Sequence, residues 1–128
     1  MPKVALAFFT VAPIYGLIGM VWGVVMGATG DHGLMPAHAH LNLLGLVLMG
    51  VMGAFYALAG DRVSGKLAWA NFWLSNFGVV VMIPSLVIIL GGDESVIPII
   101  TIGEAAAVLG LAAFLLAVLG LWRTRSAA

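Results

Sequence analysis

Four apolar runs set the possible fold of this chain. They occupy about residues 4–28, 36–60, 67–91 and 96–122, and together they take up most of the 128 residues. A helix needs about 20 apolar residues to cross the hydrocarbon core of a bilayer. Inside that core every backbone N–H and C=O must find a partner within the protein, which leaves helices or closed barrels. Runs this long, without the polar alternation of barrel strands, predict an all-α integral membrane protein with four transmembrane helices. With 63% apolar and 8% charged residues, the chain has too little polar surface to dissolve alone. Its length fits one domain, 1–128. The first run exceeds a signal-peptide core of roughly 7–15 residues and reads as a retained helix. The absence of cysteine excludes disulfides, thiolate metal sites and cysteine nucleophiles.

Polar breaks separate the runs. They are Gly30-Asp31-His32-Gly33, the stretch from Gly60 to Lys66, and Gly91-Gly92-Asp93-Glu94. Lys3, Arg62, Lys66, Arg123 and Arg125 all fall at the amino terminus, the middle break or the carboxyl terminus. The positive-inside rule therefore puts both termini in the cytoplasm and the 30–35 and 91–95 loops outside. This predicts a multi-pass protein of the inner (cytoplasmic) membrane, with its helix-2 histidines near the outer face. A duplicated helical hairpin is also expected. Gly30-Asp31 precedes Pro36 as Gly92-Asp93 precedes Pro98, an offset of 62 residues that also aligns Gly16 with Gly78, Met20 with Met82 and Asn42 with Glu104.

Small residues mark the faces on which membrane helices approach closely. The first run carries Gly16, Gly19, Gly23 and Gly27, and the fourth carries Gly103, Ala106, Gly110, Ala113, Ala117 and Gly120. Pro13 and Pro84 are expected to kink their helices. Trp22, Trp69, Trp73 and Trp122 read as interface anchors. Tyr15 and Tyr56 read as packing residues, and Asn71 and Asn76 as interhelical hydrogen-bonding residues.

The polar residues within the second run carry the functional signal. At about 100° per residue, His38, Asn42, Gly45, Met49, Gly53 and Tyr56 share one stripe, while His40 lies nearly opposite with Leu44, Val47 and Val51. One ion cannot easily be chelated by both imidazoles of a regular helix, so separate partners are expected. Each is a candidate ligand for a haem iron or a metal ion, with Asn42 beside His38. The blander account leaves both rings at headgroup depth, bonded to water and loop carbonyls. His32 and Asp31 lie in a polar loop, where His32 is a candidate third metal ligand. Glu104 is the one carboxylate well inside a run. It reads as a proton relay or as a group that orients a ligating histidine, since a carboxylate at that depth should be protonated or paired.

His38-Ala39-His40-Leu41-Asn42-Leu43-Leu44-Gly45, opening a membrane helix, resembles subunit I of haem-copper oxidases and nitric oxide reductases. Together with Gly30-Asp31-His32, it is also similar to small four-helix bacterial membrane proteins of the oxidase-subunit-I-like type, over nearly the whole chain. The resemblance implies b-type haem held by His38, His40 or both, with electron transfer or the binding of a diatomic gas (oxygen or nitric oxide) as the activity. The oxidase subunit has about twelve helices in three arcs of four, and this chain supplies one arc. Three copies would restore the full number, so a homo-oligomer, and a homotrimer in particular, is expected. Only His38 and His40 lie within the runs and no histidine–tyrosine pair is recognisable, so oxygen reduction by a single chain is not expected.

Two rival readings remain open from the residues. Copper or zinc without haem suits the imidazoles of His38, His40 and His32. A structural or interaction protein that has lost its cofactor is the other. Classical enzyme chemistry has little support, with no paired carboxylates in the runs, no Gly-rich phosphate loop and no serine nucleophile motif. The discontinuous helices of transporter sites are not evident. No basic stripe points to nucleic acid.

Overall fold

The computed structural model describes residues 1–126, with side chains through Arg123; the side chain of Arg125 lies outside the described residues. The described residues are helical apart from short connections. Four helices are long and apolar enough to cross a membrane: α1 (Lys3–Thr29), α2 (Met35–Arg62), α3 (Gly65–Leu90) and α4 (Ile97–Ser126), the last entered through a 3-10 turn at Glu94–Val96. Three polar connections reverse the chain, so α1/α2 and α3/α4 form two hairpins. Apolar contact with a lipid bilayer is the natural setting of such helices.

Local chemistry explains the helix ends. Gly30 closes α1 with φ +71°, and its N–H bonds the Met26 carbonyl at 2.9 Å. A side chain would be strained in that left-handed conformation. Pro36 sits in the first turn of α2, where its missing N–H leaves no bond unmade. At the far end, Arg62 donates to the Ala59 and Leu58 carbonyls at 3.0 and 2.8 Å, placing a cation on the helix C-terminus. Before α4, Asp93 accepts the Ser95 N–H at 2.9 Å. Hydrogen bonds from Ser95, side chain first and backbone second, hold the Asp93 carboxyl below its ordinary range.

α2 is not a uniform α-helix. Leu41–Leu48 adopts a π-helix between α-helical Met35–His40 and Met49–Ala59. Regular periodicity did not anticipate this. Such i→i+5 segments are rare and frequent at functional sites. α1 and α3 continue as helices through Pro13 and Pro84.

The core is densest where the chain start, the 60–65 connection and the last turns of α4 gather (here the terminal end). Phe8 stacks on Tyr56 at 5.6 Å and meets Phe72 edge-on at 5.1 Å. Phe114 of α4 closes on Phe55 at 5.1 Å and Tyr56 at 5.9 Å. Asn71, fully buried, ties three helices together. Its amide donates to the Gly110 carbonyl of α4 at 2.7 Å, and its oxygen accepts the Tyr56 hydroxyl of α2 at 3.3 Å. Asn76 likewise accepts the Tyr15 hydroxyl of α1 at 3.0 Å. Both asparagines join helices, as expected from sequence.

Glycines set the close approaches. A methyl group on Gly78 would lie 2.9 Å from Ala107, and one on Gly103 would lie 3.0 Å from the Met82 nitrogen, so α3 and α4 nearly touch backbone to backbone. On α1, Gly16 receives Leu46 and Gly23 receives His38. Gly27 and Gly120 face open space and take no part in packing within the chain.

Candidate functional site

The two helix-2 histidines diverge. His38, Asn42, Gly45 and Gly53 face α1. A methyl group on Gly23 would lie 2.9 Å from His38 Cε1, and one on Gly19 would lie 2.8 Å from Asn42 Cγ. The bare backbone of α1 therefore makes room for the two polar side chains of α2. Gly45 in turn receives Tyr15, and Gly53 receives Phe8.

His38 is half-buried and already has neighbours. The Asn42 amide nitrogen donates to the His38 carbonyl at 3.0 Å and lies 3.3 and 3.4 Å from the two ring nitrogens. Trp22 meets the ring edge-on, with centroids 6.3 Å apart. Trp22 thus packs on a candidate ligand, a role that its reading as an interface anchor missed. The antiparallel pairing of α1 with α2 is the signal that places Trp22 and Gly23 opposite His38.

His40 is differently placed. Its Nδ1–H donates to the Pro36 carbonyl at 2.7 Å. In a neutral imidazole that bond puts the proton on Nδ1 and leaves the lone pair on Nε2. No hydrogen bond to Nε2 is present among the described residues. The ring lines a cleft of about 350 Å³ together with Leu43, Leu44 and Leu48 of α2, Ser75, Val79 and Met82 of α3, and Glu104, Ala107, Val108 and Leu111 of α4. The cleft lies between α2 and α4. α3 forms its floor.

His40 and Glu104 therefore meet one cavity from two helices, while His38 and Asn42 lie across α2 from it. His32 belongs to neither group. It sits in the exposed 30–34 loop, where its Nδ1–H donates to the Gly30 carbonyl at 3.0 Å, and Asp31 accepts the Gly33 N–H at 2.9 Å. The structure does not bring His32, His38 and His40 into one set. Among the described residues there is no group of three or more His, Cys, Asp or Glu side chains arranged to hold a metal ion. Pro36, read from sequence as a helix start, also orients His40 through its carbonyl, and Ser75, on the cleft floor, was not singled out from sequence. Neither carries a motif, and both acquire their place from the fold.

His40 is the one imidazole on the cleft, so it is the residue there that could hold a metal ion or a cofactor's iron. The cleft's walls are mostly aliphatic, and its volume falls near the lower end of the range for small-molecule pockets, about 300–1,000 Å³. A haem macrocycle is larger than 350 Å³, so its outer edge would need cover from lipid or a neighbouring chain. Compared with protein-family models, with curated proteins and with solved structures, the chain finds no match, so the resemblance to oxidase subunit I rests on the residues from Gly30 to Gly45 alone.

Proposed function

We propose that this protein is a membrane haem-binding protein of the haem-copper-oxidase-subunit-I-like type, with His40 as an axial ligand to b-type haem. One observation carries the reading. The Pro36 carbonyl accepts a hydrogen bond from His40 Nδ1–H, and the other nitrogen of this exposed ring is left without a partner at an open apolar cleft. Backbone carbonyls orient ligating imidazoles in this way and raise their basicity. The bound iron would supply one-electron transfer or the reversible binding of a diatomic gas. The chain's own residues would hold the iron through His40, exclude water with Leu43, Leu44, Leu48, Val79, Val108 and Leu111, and keep the ring in one tautomer through Pro36.

His38 is the second candidate. Its ring is lodged against Gly23, Trp22 and Asn42, so a cofactor there would require α1 to yield. A haem iron needs only one imidazole from the chain, whereas a structural zinc site needs about four protein ligands. The dispersal of His32, His38 and His40 therefore favours haem over copper or zinc.

The finer features belong to the same proposal. The basic residues favour cytoplasmic termini, which puts His38 and His40 near the outer face of the inner membrane. A homo-oligomer, with three copies as the arrangement the resemblance implies, would cover the open side of the cleft. Packing register supports the duplicated hairpin. Gly16 meets Leu46 where Gly78 meets Ala107, and Gly19 meets Asn42 where Gly103 meets Val81. The α4 partners fall one residue short of the 62-residue offset, a difference that the π-helical segment in α2 accommodates. By this register Gly103, not Glu104, corresponds to Asn42.

Haem titration into the purified protein in mild detergent tests the proposal. A saturable Soret band that His40→Ala removes and His38→Ala retains is expected. Equal Soret absorbance in His40→Ala would overturn it. Elemental analysis of the same preparation reports copper or zinc.

A further inference from the structure

A second cavity, of about 300 Å³, lies at the terminal end of the bundle, at the other end of α2 from His40. It is lined by Lys3 of α1, Tyr56 and Asp61 of α2, and Gly65, Ala68 and Trp69 of α3. The Tyr56 hydroxyl is committed to Asn71, which leaves Lys3, Asp61 and the Trp69 indole as the polar side chains of the cavity. Lys3 and Asp61 are exposed, and neither forms an ion pair among the described residues. Each charge stands at the unfavourable end of its helix. Lys3 lies in the first turn of α1 and Asp61 in the last turn of α2. A helix dipole favours an anion at the first place and a cation at the second. Neither α1 nor α3 has a side-chain cap or an acidic residue in its first turn, so the N–H groups there lack a side-chain acceptor. The cavity thus calls for a negative group beside Lys3 and a positive one beside Asp61.

We infer that this cavity binds the headgroup of a phospholipid that carries a primary ammonium, a phosphatidylethanolamine. The phosphate meets Lys3 and the free N–H groups at the starts of α1 and α3, and the ammonium donates to the Asp61 carboxylate. Hydrogen bonds between ionised partners are the stronger ones. An anionic headgroup without an ammonium would set a second negative charge beside Asp61, and a trimethylated ammonium has no N–H to donate. The place in the fold agrees. The ends of membrane spans lie at headgroup depth. Trp69 and Trp73 stack there with centroids 6.5 Å apart, an aromatic pair of the kind that anchors at that level. From the cavity, Trp69, Trp73, Phe77 and Val80 continue as an exposed apolar stripe along α3, on which acyl chains can lie. Basic pockets between membrane helices hold lipid headgroups in a similar way. The site shares no lining residue with the His40 cleft, so it stands apart from the haem reading.

The test uses the full chain in mild detergent doped with equimolar phosphatidylethanolamine, phosphatidylcholine and phosphatidylglycerol of matched acyl chains. Native mass spectrometry reads which lipid stays on the chain. Phosphatidylethanolamine should be retained in preference to the other two. Asp61→Asn should lower that preference about fivefold, the scale of one exposed charge pair. Asp61→Glu keeps the charge and should keep the preference. Lys3→Gln should reduce retention of all three lipids, and Asp31→Asn, at the other end of the bundle, should change nothing. Free phosphoethanolamine at the same molar amount should not displace the lipid, because it lacks the acyl chains. Equal retention of the three lipids by the parent, a preference for phosphatidylglycerol, or a preference for phosphatidylethanolamine that survives Asp61→Asn would overturn the proposal. Displacement by free phosphoethanolamine would overturn the lipid as the source of the headgroup.

Discussion

Replacing Asn71 with leucine tests how this bundle is held together in lipid. Apolar burial drives membrane helices together only weakly, because lipid is as apolar as a leucine side chain. Packing and interhelical hydrogen bonds must do more, and Asn71 is where three helices share one side chain. Its short bond to the Gly110 carbonyl, 2.7 Å, joins α3 to α4. Interhelical hydrogen bonds in membranes average about 0.6 kcal/mol and reach about 1.7 kcal/mol, and a bond this short belongs near the upper figure. Gly110 lies within a helix, where backbone bonding already uses its carbonyl, so its loss of Asn71 strands little. The Tyr56 hydroxyl is different. It is 1% exposed and donates to Asn71 Oδ1 at 3.3 Å. Left without an acceptor, a buried hydroxyl costs about 1–3 kcal/mol. Leucine keeps the branching of asparagine but is larger, and a methyl group cannot lie 2.7 Å from the Gly110 carbonyl, so overpacking adds to the loss. Asn71→Leu should therefore destabilise the bundle by about 2–4 kcal/mol. Reversible unfolding in mixed micelles, followed by helical circular dichroism, measures this. Adding Tyr56→Phe removes the stranded hydroxyl, so the double variant should be less destabilised than the sum of the singles by about 1–2 kcal/mol. An Asn71→Leu variant within about 0.5 kcal/mol of the parent, or strict additivity with Tyr56→Phe, would refute the reasoning.

Gly19→Ala would press a methyl group on Asn42 and, through Asn42, on His38; unfolding measurements should show a loss of about 1–3 kcal/mol, the usual range for overpacking. Gly27→Ala, which faces open space, is the matched control and should be neutral or slightly stabilising, given the helix preference of alanine over glycine. The absence of cysteine allows background-free topology mapping. In intact cells, an impermeant maleimide should label Asp31→Cys and not Ser64→Cys, and the reverse pattern would place the histidine end on the cytoplasmic side.

The four spans were legible because hydropathy and polar breaks are local signals. The expected runs 36–60 and 67–91 agree with α2 and α3 to within two residues, because local cues such as Pro36 and Gly91 mark their ends. The divergence of His38 and His40 was legible too, because two positions on one helix necessarily point about 200° apart. The π-helical segment was not. Nothing in Leu41–Leu48 breaks an α-helix locally. Its register goes with packing, in which Gly45 takes Tyr15 and Leu46 settles on Gly16. The cleft was hidden for a similar reason. It depends on α4 lying against α3 through Gly78, Gly103 and Gly110, far from α2 in sequence. Glu104 and His40 were each visible as polar residues at similar depth. Only the placement of α2 and α4 around α3 shows that they share a cavity, while Asn42, the residue that the 62-residue offset aligned with Glu104, faces α1 instead.

The most direct measurement is an absorbance spectrum of the chain freshly purified from haem-sufficient cells, beside its His40→Ala and His38→Ala variants. The parent and His38→Ala should show a Soret band and His40→Ala should not. A colourless parent that haem cannot reconstitute, or a band that survives the loss of His40, would contradict the account.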